Sequence, residues 1–138
     1  MPKRELLLYT PLAHSAGCRL EEAVAMVVSP QATEIVHTSQ GLARRLRRPD
    51  NGLEVAVILA ASRKKLRELQ FLEQMLESLR LILILPDAAP QTIAQGHNLR
   101  PRYVTQMGSD FRDVSAVLRK MLALTEHPPV KRGERTNV

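Results

Sequence analysis

Residues 6–18, LLLYTPLAHSAGC, follow the basic start MPKRE and admit two readings. One is a lipoprotein export signal: positive charges, an apolar run, small residues, then a cysteine for lipidation. The other is a first buried β-strand followed by a loop at the mouth of an α/β sheet. A signal core needs about 7–15 apolar residues. Here the apolar run from Leu6 to Tyr9 is soon interrupted by Thr10, Pro11 and His14. Glu5 stands in what should be a purely basic segment, and Ser15 stands three before Cys18, where a lipidation box carries Leu. The strand reading needs only a short apolar run and a Thr-Pro breaker, both present. The chain is therefore expected to be cytoplasmic and to begin on a strand.

The 138 residues suit one domain. Hydrophobic residues make up 44% and aromatics 3%, so Leu, Val, Ile and Ala must fill the core. Cys18 is the one cysteine, which excludes an intramolecular disulfide and fits a reducing compartment. No apolar run approaches the ~18 residues of a membrane-spanning helix, so no membrane partner is expected. The net charge of +6, with 15 Arg and 5 Lys, raises the case for an anionic partner.

Outward from the first stretch, apolar runs alternate with amphipathic segments. Strands are expected over residues 5–10, 33–37, 53–60, 81–85 and 102–106. The fourth reads LILIL, a run suited to a central parallel strand covered on both faces. A helix over 18–28 carries Leu20, Ala23, Val24, Val27 and Val28 and ends at Ser29-Pro30. Ser39 is expected to cap a helix over 40–48, which stops at Pro49-Asp50-Asn51-Gly52. Ser62 is expected to cap one long helix with Leu66, Leu69, Leu72, Met75, Leu76 and Leu79 on its buried face. A weaker helix is expected over 90–98. Ser109 or Asp110 then caps a helix over 111–124, whose stripe is Phe111, Val114, Val117, Leu118, Met121 and Leu122. Residues 1–125 form the expected domain. The Pro-rich, charged tail over 126–138 is expected to be disordered. Five short βα units predict a flavodoxin-like (βα)5 three-layer α/β sandwich with a parallel sheet of order 2-1-3-4-5.

This layout over residues 5–124, together with Tyr103-Val104-Thr105-Gln106, resembles the receiver domain of bacterial response regulators. Receivers carry an aromatic switch residue in strand five and a lysine three positions later. Tyr103 matches the aromatic, and Gln106 stands where the lysine should be. An acidic pair follows strand one in that family; here the residues are Tyr9-Thr10-Pro11. Ala60-Ala61 stand where the phospho-accepting aspartate would end strand three, and Leu85-Pro86 where Ser or Thr would end strand four. Aspartyl phosphorylation needs a carboxylate nucleophile, Mg²⁺ and a cation to hold the product. The resemblance therefore implies a degenerate, non-phosphorylatable receiver-like regulatory domain that acts by protein–protein contact, with no cofactor. The family docks and dimerises through helix four, strand five and helix five. That face, carried over, includes Tyr103, Arg112 and Arg119, and implies a protein partner or a homodimer.

Ligands of open α/β sheets bind outside the carboxyl ends of the strands. The candidates there are Thr10, His14, Ser15, Thr38, Ser39, Ser62, Asp87 and Gln106. They support a second reading: a small-molecule binding protein or minor enzyme for a nucleotide or phosphorylated metabolite. Ser39 and Ser62 read more simply as plain helix caps worth about 1 kcal/mol each. Gly17 alone makes neither a P-loop nor GxGxxG. Cys18 lies beside Arg19 near an expected helix start, a setting shared with reactive thiols. Phosphotransferase-system IIB domains and small tyrosine phosphatases place their cysteine directly after strand one. Here it lies well into the loop, and Val24 falls where the arginine of CX5R would stand. His14, His37, His97 and His127 are scattered, so no metal site is expected. Arg44, Arg45, Arg47 and Arg48 make the second helix the most basic segment. Nucleic acid calls for aromatics that stack or a recognition helix. Neither is legible, so this face is expected to be solvated, with an acidic partner helix or nucleic acid bound through the second helix as the weaker readings.

Overall fold

The computed structural model describes residues 5–12, 14–48 and 52–126. Five strands, β1 (Leu6–Tyr9), β2 (Thr33–Val36), β3 (Val55–Leu59), β4 (Arg80–Leu85) and β5 (Tyr103–Gln106), form one sheet. Its order is β2-β1-β3-β4-β5, and every pairing is parallel. This is the flavodoxin-like arrangement expected from the alternating pattern.

β3 is wholly buried, and β4 is buried from Leu81 to Leu85. Successive side chains of a strand point to opposite faces. Leu6, Leu8, Val57, Leu59, Ile82 and Ile84 therefore pack on one side, against Leu20 and Val24 of α1 (Ser15–Ala25) and Val114 and Leu118 of α6 (Arg112–Glu126). Leu7, Ala56, Ile58, Leu81, Leu83 and Leu85 pack on the other, against α2 (Ser39–Leu46), α3 (Arg63–Gln70) and α4 (Glu73–Leu76). On that side α5 (Pro90–His97) comes very close to the sheet. A Cβ on Gly96 would stand 2.8 Å from a methyl of Leu85, so only glycine permits this approach without displacement.

Local chemistry moves several expected boundaries. α1 begins at Ser15 rather than near Cys18, because His14 serves as its N-cap and its Nδ1 accepts the Ala16 N–H at 3.1 Å. Thr38, not Ser39, caps α2: its hydroxyl accepts the Gly41 N–H at 2.9 Å. Ser62 caps α3 as expected, accepting from Lys65 N. A short 3-10 turn, Pro30–Ala32, leads into β2. Glu126 is the last residue of α6, whereas the tail reading placed it outside the domain; residues 127–138 lie outside the described residues.

The expected single helix after Ser62 is two helices. Leucines three apart drift by about 60° per step around an ideal α-helix, so Leu66 and Leu72 would diverge by about 120° on one. The chain tightens instead. Phe71 N bonds Glu68 O, Leu72 N bonds Leu69 O and Met75 N bonds Leu72 O, all with three-residue spacing. Three residues per turn realign the leucines. Leu72 and Leu76 stay buried, and Phe71 is turned outward at 88% exposure.

Among the described residues no helix is long and apolar enough to cross a membrane. The α3–α4 geometry yields a contrast to measure by urea denaturation. Leu69→Ala is expected to cost about 2–5 kcal/mol, whereas Phe71→Ser should shift stability by less than about 0.5 kcal/mol.

Candidate functional site at the carboxyl ends of the strands

Parallel strands bring their following loops to one edge of the sheet, and the candidate polar residues do collect there. Most are already bonded to the protein itself. Thr10 is wholly buried; its hydroxyl donates to Glu21 at 3.1 Å and its carbonyl accepts from His37 Nδ1 at 2.8 Å. Ser39 donates to Glu68 Oε1 at 3.0 Å. With its one proton so used, Ser39 Oγ can only accept from the Tyr9 hydroxyl, 3.4 Å away. Asp87 accepts from Ala89 N at 2.9 Å and lies 3.7 Å from Arg63, whose guanidinium also donates to the buried Thr92. His14, Thr38 and Ser62 are consumed as caps. Ser15 is the exposed first residue of α1, and Gln106 is exposed at the end of β5.

These bonds leave electrostatic traces. The Ser39 hydroxyl, with Lys65 and Lys64 nearby, holds Glu68 below the usual carboxylate range. Thr92, Ala89 N and Arg63 do the same for Asp87.

A second cluster joins β5 to α6. Asp113 accepts from the Tyr103 hydroxyl at 2.7 Å and from Ser109 Oγ at 3.0 Å. Burial pushes its carboxyl up, but the donors Tyr103, Thr105 and Ser109 outweigh this and hold it low. The same bond, with burial, pushes the Tyr103 phenol up. Arg19 of α1 closes the cluster, donating to the carbonyls of Ser109 at 2.8 Å and Met107 at 3.1 Å. Its guanidinium lies 5.2 Å from the Phe111 ring centre. Phe111 has φ 65, an unfavourable backbone for an aromatic residue, and complete burial in the core holds it there. Ser109 and Asp110 both serve the start of α6, accepting from Phe111 N and Arg112 N.

Two clefts remain. One, of about 290 Å³, opens between α5 and β5 and brings Asp87 and Gln106 together with Ile93, Val104 and Thr105. The other, of about 620 Å³, runs between α1 and α6, lined by Arg19, Met26, Arg112 and Arg119 among others. Arg112 and Arg119 line this cleft; Tyr103 is not in its lining and bonds Asp113 of the same helix. Cys18 is exposed on α1. Among the described residues no three His, Cys, Asp or Glu side chains gather as a metal site would require.

Sequence reasoning missed Glu21, Glu68, Asp113 and Arg19 as partners. None stands in a motif, and each meets its partner through packing of one element against another. A helix-spaced acid such as Asp113 reads as an ordinary first-turn residue.

The Asp113 cluster predicts a pH response. A carboxyl held low in the fold contributes stability above its unfolded value, about 3.9, and loses it as pH falls through the folded value. Thermal midpoints from pH 6 to pH 3 should fall in the native chain. Asp113→Asn should be less stable at pH 6 and fall less steeply. An unchanged slope would assign the acid sensitivity to Glu68 and Asp87.

No protein-family model and no curated protein matches this chain. Solved structures do share its fold. The response regulator RcsB of Salmonella typhimurium, described for conformational dynamism in DNA interaction, aligns with a TM-score of 0.62 at 13% identity, over 94% of this chain and 65% of that one. This chain thus spans just under two thirds of RcsB. A Burkholderia pseudomallei protein described as pilus assembly-related aligns with a TM-score of 0.61 at 18% identity, over 88% of this chain and 91% of that one. At these identities the likeness is one of fold: the chain has a receiver-like, flavodoxin-like α/β fold.

Proposed function

We propose that this chain is a receiver-like regulatory domain that acts by protein–protein contact and carries no aspartyl-phosphate switch. The observation that carries this reading is the chemistry at the sheet's carboxyl edge. Phosphoryl transfer to a receiver needs an exposed carboxylate nucleophile with Mg²⁺ beside it. β3 instead runs into Ala60, wholly buried, and Ala61. The loop after β1 begins with Thr10, buried and bonded to Glu21. Asp87, after β4, faces α5 and Arg63. Gln106 offers no cation at the end of β5.

Signal transfer in a receiver also uses a mobile aromatic in strand five. Tyr103 here is fastened to Asp113, and Arg19 holds the following loop. Such an arrangement favours a fixed docking surface over a two-state one. The groove between α1 and α6, with Arg112, Arg119 and the exposed Met26 along it, suits a protein partner or a second copy.

The alternative, a small-molecule site, draws on the cleft between α5 and β5. Its one charged lining group is the Asp87 carboxylate, which suits a neutral or cationic ligand better than a phosphorylated one.

The protein should be treated with acetyl phosphate and Mg²⁺ and weighed intact, with amide NMR spectra recorded in beryllofluoride and Mg²⁺. No phosphoryl adduct and no shifts at Thr10, Ala60 or Gln106 are expected. A stoichiometric adduct on an aspartate, labile to base and to hydroxylamine, would sink the proposal.

A further inference from the structure

The basic face of α2 and α3 carries an inference of a different kind. α2 contains no acidic residue. Of Arg44, Arg45, Arg47 and Arg48, in and just after this helix, only Arg45 turns inward, 6% exposed, to pair with Glu34 at 2.6 Å. Arg44 and Arg47 face outward and line a cleft with Ser39, Gln40 and Ala43. Among the described residues no carboxylate lies within ion-pair range of either.

The tertiary structure lays α3 beside this cleft. Glu68 Oε1 accepts from Ser39 and also lies 3.4 Å from Lys65 Nζ, which brings Lys65 to the rim. Lys64 is near enough to bias the same carboxyl. Lys64, Arg67 and Phe71 follow at three- and four-residue spacing, all exposed, so they share the solvent face of α3. The break between α3 and α4 leaves Phe71 at 88% exposure at the end of that row.

We propose that this face binds single-stranded nucleic acid. Arg44, Arg47, Lys64, Lys65 and Arg67 would contact phosphates, and Phe71 would stack on a base. The composition of the patch chooses the occupant. An acidic protein interface needs an apolar, desolvated centre, and here Ala43 and Phe71 are the apolar members of a surface otherwise charged or polar. Phosphates need no such centre, because charge and counterion release carry the affinity. A lone exposed aromatic at the end of a cationic row fits a base exposed by a single strand and not one stacked inside a duplex. The sequence reading discounted nucleic acid for want of a stacking aromatic; the fold supplies one by turning Phe71 outward.

The test is fluorescence anisotropy of a short labelled oligothymidylate with the full chain. With five phosphate contacts, affinity should fall on the order of 10²-fold between about 50 and about 200 mM salt. Arg44→Glu/Arg47→Glu should weaken binding at least about tenfold and flatten the salt slope by roughly 1.4. Phe71→Ala should weaken it about tenfold with the slope unchanged. A control of equal charge change away from the patch, Arg102→Glu/Lys120→Glu, should bind nearly as the native chain does. The proposal is overturned by no binding at about 50 mM salt, by equal loss in the control, or by polyglutamate binding as tightly. An unaffected Phe71→Ala variant would equally overturn the single-strand assignment.

Discussion

The structure depends on one constraint: β3 and β4 present apolar side chains to both faces of the sheet. Every residue of β3 from Val55 to Leu59 is without solvent exposure. Burying each such side chain is worth about 1.5–3 kcal/mol, so a bare face on either side would forfeit much of the stability. Helices must cover both faces, and short connections place them there only if the strands run parallel. The two cores, one under α1 and α6 and the other under α2 to α5, follow from the alternation of side chains along these strands.

A parallel sheet sends every βα loop to the same edge. In this fold that edge is a natural place for a ligand, and here its polar groups fasten neighbouring segments to one another. Thr10 ties β1 to α1 through Glu21, Ser39 ties α2 to α3 through Glu68, and Arg63 ties α3 to Thr92 of α5. Burying such groups is costly unless they are bonded, and these are. The result is a stable edge with little free chemistry. The outer surfaces, by contrast, carry an uneven distribution of charge.

That unevenness has a local cause. α2 is amphipathic in an unusual way: its buried side combines Leu42 and Leu46 with an arginine neutralised by Glu34 of the neighbouring edge strand. Its outer side keeps its arginines unneutralised. A predominantly positive field over a helix pair, with Glu68 as its one carboxylate, draws oppositely charged partners and speeds their encounter. The field weakens with salt and acts without any change in shape.

The sequence by itself determined the fold class, the strand order and most of the core. Runs such as LILIL at 81–85 and the helical stripes that follow Ser62 and Asp110 depend on local periodicity, which burial enforces directly. Cap identity was legible at Ser62 and misplaced at Ser39, since Thr38 has the extended backbone a cap needs and leaves Ser39 free to reach Glu68. His14 was read as a ligand candidate because its capping geometry exists only once α1 starts at Ser15. The candidate residues Asp87 and Gln106 do meet in one cleft, Arg112 and Arg119 line another, and Tyr103 bonds Asp113 of the helix that carries them. Only the tertiary structure decided the break after Gln70, the outward turn of Phe71, the Arg19 latch and the Tyr103–Asp113 bond. Each reconciles helix geometry with the sheet beneath it or joins one element to another, and neither leaves a local pattern to read.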